Sequence, residues 1–260
     1  MTETLVGYTV DGAVARLTLD SPRNRNALST RLVAELHAGL GRAAANPAVR
    51  AVVLGHSGGT FCAGADLSEA TAGDPAAAAL DRARELAGVL RAIVECPVPV
   101  IAAVDGHVRA GGMGLVGACD IAVAGPRSTF ALTEARIGVA PAIISLTLLP
   151  RLRPRAASRY YLTGETFDGP RAADIGLITL AADDVGAAVE AVTADLARAS
   201  PQGLAASKAL TTAGVLAAFD RDAERLARES AALFVSDEAR EGMLAFLEKR
   251  PPRWDSVGPT

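Results

Sequence analysis

Two glycine-bearing segments of the 260-residue chain could do chemistry through their backbone. Residues 60–67 (TFCAGADL) and residues 106–114 (GHVRAGGMG) each follow a short apolar segment rich in β-branched residues, which is typical of a buried strand. Small residues let a ligand approach the backbone closely, and free N–H groups can then face a developing negative charge. Two such loops on neighbouring strands could hold one oxygen atom between two amide donors. The pair predicts an oxyanion hole, although either loop alone is equally typical of a tight turn.

Two further motifs fit known signatures but lack their context. Residues 55–59 (GHSGG) match the nucleophile-elbow pattern with Ser57 as nucleophile, yet no histidine follows His107 to serve as its base. Residues 112–117 (GMGLVG) match a dinucleotide-binding pattern, but a loop precedes them and the next strand begins near Cys119. We therefore interpret Ser57 as part of a polar turn and exclude a Rossmann site.

The elements that must position the loops alternate between strand and helix in the first half of the chain. Asp11-Gly12 predicts a β-hairpin, Ser29 caps a helix that stops at residues 46–47, and Asp74-Pro75 opens a second helix. Strands are predicted at residues 51–54, 98–104, 120–124 and 129–132, with a short helix from about Gly112. Beyond residue 150 strands all but vanish, and helices are predicted around residues 154–162, 169–175, 184–200, 203–212, 215–234 and 237–249.

Composition excludes several classes of function. Half of the residues are hydrophobic and the net charge is −3, without a basic run, so nucleic acid is not expected as a partner. No signal peptide or apolar run of transmembrane length is recognisable, and no membrane partner is expected. The three cysteines and three histidines have no metal-ligand spacing, so we predict no metal site and a reducing cytoplasmic location.

The chain resembles the crotonase superfamily, the enoyl-CoA hydratase/isomerase group. The resemblance runs from the hairpin to the end of the chain and includes residues 23–28, 61–67, 99–120, 133–138, 162–164, 172–177 and 241–250. It implies an α/β fold, a crotonase-like spiral of ββα units (residues 1–195) with an all-helical C-terminal oligomerisation region (residues 196–260). It also implies a homotrimer or dimer of trimers that binds an acyl-CoA thioester and needs no cofactor beyond that coenzyme A.

The resemblance also implies site residues. The backbone N–H groups of Ala65 and Gly111 would hold the thioester oxygen, and the carbonyl of Ala63 would lie near the adenine. Phe246 and Lys249 would reach coenzyme A, in a neighbouring subunit, although core packing and a solvated helix face explain them as well. The implied substrate-binding residues are Arg23, Arg25, Ala27, Ala63, Ala65, Asp66, Leu67, Gly111, Phe246 and Lys249.

One of the two glutamates that hydratases of this family usually carry is absent. The first position is Gly114, and the second is Glu134, which follows residues 129–132 in an apolar stretch. An apolar setting raises the pKa of a carboxyl group toward the range needed for acid–base catalysis. The other interpretation of Glu134 is a helix cap or a surface ion pair, and His107 and Arg109 are candidates for a supporting role.

A single carboxylate leaves three functions open. It can activate water for addition to a 2-enoyl thioester, or it can move a proton from the α to the γ carbon of a 3-enoyl thioester. Residues 111–120 and 132–142 look most like hydratases of methylglutaconyl-type thioesters, which favours the hydratase. The third alternative is an acyl-CoA binding protein without activity.

Overall fold

The computed structural model describes residues 4–66, 69 and 74–255. Its larger sheet has six strands in the order β1-β2-β3-β5-β7-β10, and all neighbours are parallel except β1 and β2. These strands are Val6–Asp11 (β1), Val14–Leu19 (β2), Ala51–His56 (β3), Val100–Val104 (β5), Ile121–Ala124 (β7) and Leu180–Ala181 (β10).

A second sheet of four short strands lies in the order β4-β6-β8-β9. Its first three strands are parallel, and the last pair is antiparallel. These strands are Thr60–Cys62 (β4), His107–Arg109 (β6), Thr129–Ala131 (β8) and Phe167–Asp168 (β9). Two strands of two residues each, β9 and β10, thus lie in the part of the chain for which the sequence predicts helices.

Nine α-helices and two 3₁₀ turns connect these strands in the part of the chain that is described. The helices are Thr30–Ala45 (α1), Pro75–Glu95 (α2), Gly111–Ala118 (α3), Ser145–Leu148 (α4), Pro154–Thr163 (α5), Gly169–Asp174 (α6), Val185–Ala197 (α7), Pro201–Phe234 (α8) and Asp237–Glu248 (α9). The 3₁₀ turns are Pro22–Asn24 and Glu134–Ile137.

The hairpin turn and the helix cap predicted from the sequence both form at the expected residues. Gly12 takes a φ of +54° between the two hairpin strands, which pair from Val6 opposite Leu19 to Asp11 opposite Val14. The hydroxyl of Ser29 accepts a hydrogen bond from the N–H of Leu32 at 3.2 Å and so caps α1. The predicted hairpin and first helix are therefore present.

The prediction of two helices, at residues 203–212 and 215–234, is wrong. A single helix of 34 residues, α8, covers both. Gly214 lies within it, and a side chain at that position would meet nothing within 4 Å. A lone glycine costs a helix about 1 kcal/mol relative to alanine. Because α8 packs along α2, tertiary contacts outweigh that cost.

Alternate residues of the larger sheet face two different layers. Val52 and Leu54 pack into the main core with helices α1 to α3, while Val53 and Ile101 pack against Val189 of α7. The predicted boundary at residues 195/196 falls within the last turn of α7. The division into two domains stays a prediction.

Two buried contacts attach the C-terminal helices to the rest of the chain. Lys208 of α8 donates from Nζ to the carbonyl of Ile93 at 2.9 Å, and the same Nζ lies 2.7 Å from Oδ2 of Asp120. Helix α9 packs against the 3₁₀ turn Glu134–Ile137, where a Cβ on Gly242 would lie only 2.5 Å from the carbonyl carbon of Ile137. Across the described ranges, no helix is long and apolar enough to cross a membrane.

Candidate active site

The three parallel strands of the smaller sheet end at one edge, where the predicted catalytic groups follow them. Cys62 pairs with Val108, and Val108 pairs with Phe130. Counted from this common level, Ala65 and Gly111 come three residues later and Glu134 four residues later. Because the carboxyl ends of parallel strands share one edge of a sheet, all three residues follow the same edge.

The backbone of Ala65 is oriented by a short parallel bridge to Leu28. The N–H of Leu28 donates to the carbonyl of Gly64 at 2.7 Å, and the N–H of Asp66 donates to the carbonyl of Leu28 at 3.2 Å. These two bonds use the residues on either side of Ala65. Since successive residues of an extended segment alternate in direction, the N–H of Ala65 points away from Leu28.

The second predicted amide donor is Gly111, the first residue of α3. The N–H of a first helical residue has no acceptor within its own helix, and the positive end of the helix dipole lies at the same place. The preceding residue, Ala110, holds a φ of +46° and a ψ of −118°, which an alanine rarely adopts. Strain of this kind persists where surrounding contacts fix the backbone, and here it sets the direction of the Gly111 N–H.

The two loops touch so closely that only glycine fits at their contacts. A Cβ on Gly64, which has a φ of +97°, would lie 2.7 Å from Cβ of Ala110 and 3.7 Å from the nitrogen of Gly111. A Cβ on Gly112 would lie 2.7 Å from Cβ of Cys62. The glycines therefore bring the backbones into contact, which places the N–H groups of Ala65 and Gly111 on adjoining loops.

Glu134 is the buried carboxyl group of this site. It begins the 3₁₀ turn after β8, and its Oε2 atom is buried with no hydrogen-bond partner among the residues described. Burial raises the pKa of this carboxyl from its ordinary value of 4.5 to about 7. The interpretation of Glu134 as a surface ion pair is wrong, because the side chain is neither exposed nor paired with a cation of the described chain.

No second carboxylate can take the place that Gly114 occupies. A Cβ on Gly114 would lie 2.4 Å from Cγ2 of Ile144 and 3.2 Å from Cδ1 of Leu90. These two apolar side chains fill the space that an acidic side chain would need. Apolar packing by Ile144 and Leu90 thus occupies the place of the second glutamate. The sequence pattern alone does not show which residues fill that place.

The segment predicted to bind the nucleotide lies beside the first glycine loop. The N–H of Ala63 donates to the carbonyl of Arg25 at 3.1 Å, and Nδ2 of Asn24 donates to Oδ2 of Asp66 at 3.1 Å. Arg23 and Arg25 are exposed, and Ala27 is buried. The structure therefore brings Arg23, Arg25, Ala27, Ala63 and Asp66 together with Ala65, whereas Leu67 lies outside the described residues.

Asn26 organises this segment, a role that the sequence analysis missed. It is completely buried and has a φ of +53°. Its Oδ1 accepts from the N–H of Ser21 at 2.7 Å, and its Nδ2 donates to the carbonyls of Ser57 and Thr60 at 3.1 and 2.8 Å. Asparagine adopts the left-handed backbone conformation more readily than most residues. The sequence signal for this role was therefore an asparagine two residues after the turn Pro22–Asn24.

Phe246 and Lys249 lie at the C-terminal end of α9, and both are exposed. Phe246 is 59% exposed, which excludes the interpretation as core packing within this chain. Lys249 is also exposed and adopts a left-handed conformation that ends the helix. No hydrogen bond or ion pair recorded for the described residues links either side chain to the glycine loops. A role toward coenzyme A stays a prediction that needs a neighbouring subunit.

The remaining polar candidates have other partners. The hydroxyl of Ser57 donates to Oδ1 of Asp20 at 2.5 Å rather than to a histidine. Nδ1 of His107 lies 2.7 Å from Oγ1 of Thr129, and Arg109 donates to the carbonyl of Thr129 at 2.7 Å. Arg109 thus connects β6 to β8 and supports the site structurally. Within residues 4–66, 69 and 74–255, no cluster of three or more His, Cys, Asp or Glu side chains could hold a metal ion.

Comparisons with known proteins agree with this geometry. The sequence model of the family described as "Enoyl-CoA hydratase/isomerase" matches residues 9–257. A solved enoyl-CoA hydratase from Mycobacterium avium is 69% identical, with a TM-score of 0.92, over 97% of this chain and 100% of that chain.

Two curated relatives carry hydratase names. The "Probable enoyl-CoA hydratase" of Bacillus subtilis (strain 168) is 32% identical over 96% of this chain and 98% of its own length. The cyclohexa-1,5-dienecarbonyl-CoA hydratase of Thauera aromatica is also 32% identical, over 95% of this chain and 94% of its own length. The crotonase-like α/β fold with a helical C-terminal region is thereby confirmed. Taken with two glycine loops and one buried glutamate at a shared sheet edge, these matches show that the chain is an enzyme of the enoyl-CoA hydratase/isomerase family.

Proposed function

We propose that this enzyme is an enoyl-CoA hydratase, which adds water across the double bond of a 2-enoyl-CoA thioester with Glu134 as its single acid–base group. The proposal depends on one observation. Glu134 is buried, its Oε2 has no hydrogen-bond partner among the described residues, and its pKa is raised to about 7, at the sheet edge that also carries Ala65 and Gly111. A group with this pKa can both accept and release a proton near neutral pH.

The amide donors would stabilise the charge that hydration creates. When water attacks C3 of the enoyl group, electrons move through the double bond to the thioester oxygen. The N–H groups of Ala65 and Gly111 would hold that oxygen. Preorganised donors of this kind need no rearrangement during the reaction, and loss of one typically costs roughly 10²–10³ in rate.

Glu134 would carry one proton through the cycle. As the oxygen of water bonds to C3, the ionised carboxylate takes one proton from that water. The resulting enolate then takes the same proton from Glu134 and forms a new C2–H bond with it. The products are a 3-hydroxyacyl-CoA and an ionised Glu134, so atoms and charges balance without another acid.

A second candidate function is the isomerisation of 3-enoyl-CoA to 2-enoyl-CoA, and the packing at Gly114 favours it. Ile144 and Leu90 fill the place of a second acid, and a 1,3-proton shift needs only one carboxylate. Glu134 would remove a proton from C2 and return it to C4. The two reactions differ in whether a water molecule is consumed.

Binding of the coenzyme A portion would use the exposed segment around Arg23. The guanidinium groups of Arg23 and Arg25 have no ion pair with any residue of the described chain, and their segment adjoins the loop of Ala63 to Asp66. Unpaired arginines suit phosphate groups, which accept paired hydrogen bonds from a guanidinium. We expect no cofactor other than the coenzyme A of the substrate, and a cytoplasmic location.

We also propose a homotrimer or a dimer of trimers. Leu244, Phe246 and Leu247 of α9 are 45%, 59% and 66% exposed in the single chain. Apolar side chains clustered on a surface mark interfaces. Light scattering at micromolar concentration should give a mass of three or six chains, and a stable monomer would contradict the proposal.

The function is tested by turnover of a small panel of thioesters. Purified protein is mixed with crotonyl-CoA, a 3-enoyl-CoA and free crotonate, and products are separated by mass. We expect 3-hydroxybutyryl-CoA from the first substrate and no reaction with the free acid. Conversion of only the 3-enoyl-CoA would identify the isomerase, and binding without turnover of either thioester would indicate a protein that only binds acyl-CoA.

A further inference from the structure

Glu134 shares an unusual property with one other side chain near it. The hydroxyl oxygen of Tyr161 is buried and, like Oε2 of Glu134, has no hydrogen-bond partner among the described residues. An unpaired buried polar atom costs about 1–3 kcal/mol, so native proteins pair such atoms with protein groups or with ordered water. Tyr161 has no part in the reaction as proposed above.

The fold places Tyr161 beside the turn that carries Glu134. Tyr161 lies in the last turn of α5, which packs against the 3₁₀ turn Glu134–Ile137. The carbonyl of Thr163 accepts a hydrogen bond from Nε of Arg136 at 2.9 Å, and a Cβ on Gly164 would lie 3.2 Å from the carbonyl oxygen of Leu132. The end of α5 is thus fixed against the segment on both sides of Glu134.

Within the described chain, the adjacent Tyr160 has a hydrogen-bond partner for its hydroxyl, unlike Tyr161. The hydroxyl of Tyr160 accepts a hydrogen bond from Nε of Arg171 at 3.0 Å, and its ring packs 4.2 Å from the ring of Phe167. Successive residues of a helix point about 100° apart, so the two hydroxyls face different surroundings. Tyr160 is a structural tyrosine, whereas the hydroxyl of Tyr161 has no hydrogen-bond partner in the part of the chain that the structure describes.

Electrostatics also couples Tyr161 to Glu134. Burial first, and the charge of Glu134 second, raise the pKa of the Tyr161 hydroxyl above its usual value of 10. The phenol therefore stays protonated and neutral around pH 7, where Glu134 gains and loses its proton. Two unpartnered polar atoms on contacting elements offer what a buried water molecule requires, namely two or more polar partners.

We propose that Oε2 of Glu134 and the hydroxyl of Tyr161 hold one water molecule between them, and that this is the water added to the substrate. The catalytic part of this inference rests on the proposed hydratase function. Tyr161 would position the water molecule in place of the second glutamate, whose position in this chain is occupied by Gly114. The site would thus combine one carboxylate with one phenol.

The chemistry assigns each hydrogen of the water. One hydrogen lies in a hydrogen bond to Glu134 and is transferred as the oxygen bonds to C3. The other lies in a hydrogen bond to the oxygen of Tyr161 and remains on the product hydroxyl. Tyr161 neither gains nor loses a proton, so it is a positioning residue, and removal of its oxygen should affect hydration but not proton transfer at C2.

The test compares Tyr161→Phe with Tyr160→Phe, a matched variant that loses a hydroxyl from the same helix. Hydration of crotonyl-CoA should have a kcat at least about tenfold lower in Tyr161→Phe, with KM nearly unchanged, because one hydrogen bond to the reacting water is lost. Tyr160→Phe should keep the wild-type kcat. Exchange of the C2 hydrogens of butyryl-CoA with deuterated solvent, which needs Glu134 but no added water, should be equal in all three proteins.

A crystal structure of the ligand-free enzyme supplies a readout besides activity. We expect a water molecule within hydrogen-bond distance of both oxygens in the wild type and its loss in Tyr161→Phe. Equal hydration by the two variants, a parallel loss of exchange and hydration, or crystals without this water would overturn the inference and leave the proposed function intact. A wild-type enzyme that hydrates no 2-enoyl-CoA would overturn the proposed function and the catalytic part of the inference, and the crystal would then test the shared water alone.

Discussion

Glu134 and Glu241 are both glutamates with little exposed surface, 8% and 6%, and they lie on packed elements, yet their pKa values move in opposite directions. Glu241 accepts hydrogen bonds from Nη1 and Nη2 of Arg250 at 2.7 and 3.1 Å and from the N–H of Arg253 at 3.0 Å. These bonds lower its pKa to about 2. Glu134 has no guanidinium partner among the described residues, and burial raises its pKa to about 7 against a smaller lowering by a hydrogen bond from its own backbone N–H.

The comparison teaches that the partner, rather than the burial, decides what a carboxylate can do. A glutamate held by guanidinium groups stays ionised at any physiological pH, so it can join α9 to the C-terminal segment but cannot exchange protons. A buried glutamate with no guanidinium beside it changes its charge near pH 7. The same residue type thus serves structure in one region and, as we propose, catalysis in the other.

The largest expected effect is on turnover. Glu134→Gln keeps the shape of the side chain but cannot take a proton from water, so kcat should fall by roughly 10²–10⁴, the usual contribution of general acid–base catalysis. Thioester affinity, measured by calorimetry with acetoacetyl-CoA, should change little. Glu229→Gln, on an exposed glutamate of α8, is the control and should keep full activity. Near-normal turnover by Glu134→Gln would refute the mechanism.

The pH dependence of stability should separate the two glutamates by sign. The folded pKa of Glu134 is raised, so the folded state binds more protons than the unfolded chain between about pH 4.5 and 7, and stability is lost as pH rises through that window. The shift corresponds to about 3 kcal/mol in the free energy of unfolding above pH 7. Glu134→Gln should remove this loss and be more stable than the wild type at pH 8.

The folded pKa of Glu241 is lowered, so its contribution is present above about pH 4.5 and is lost as pH falls toward 2. Glu241→Gln should therefore be less stable than the wild type at pH 8, while both proteins approach each other in acid. Denaturant unfolding from about pH 2 to pH 8 covers both windows and measures both variants. Parallel pH profiles for Glu134→Gln and Glu241→Gln would show that the two carboxylates do not differ as described.

The activity of the wild type should follow the same ionisation. Because Glu134 must be ionised to accept a proton, kcat/KM for crotonyl-CoA should rise with pH along one limb with a midpoint near 7. Tyr161→Phe should keep this limb at a lower plateau. A bell-shaped profile would reveal a second titrating acid and contradict a site with one carboxylate.

The smallest expected effect is on stability, through the apolar packing around Gly114. Gly114→Ala places a methyl group against Ile144 in a packed core, and such overpacking costs about 1–3 kcal/mol. Gly88→Ala, at a helical glycine with open space around it, is the matched control and should be neutral or slightly stabilising. Equal unfolding midpoints for the two variants would mean that Ile144 does not fill the place of the second acid.

Local signals in the sequence were sufficient for most of the fold. Turn, cap and strand patterns act within a few residues, so the hairpin at Gly12, the cap at Ser29 and the order of strands and helices were predictable. The division of α8 into two helices was wrong because a single glycine is a weak signal, and the contact with α2 that decides the matter lies more than 100 residues away.

The sequence by itself determined which groups this protein can use: two loops with room for backbone chemistry, one acid after a strand, and no acid at Gly114. Tertiary structure alone decided where these groups lie and which protonation states they can take. Parallel pairing of β4, β6 and β8 brought Ala65, Gly111 and Glu134 to one edge. Packing also left Oε2 of Glu134 and the hydroxyl of Tyr161 without hydrogen-bond partners among the described residues. A pKa depends on the solvent and charges around a group, and those come from residues distant in the chain, so no motif could have supplied them.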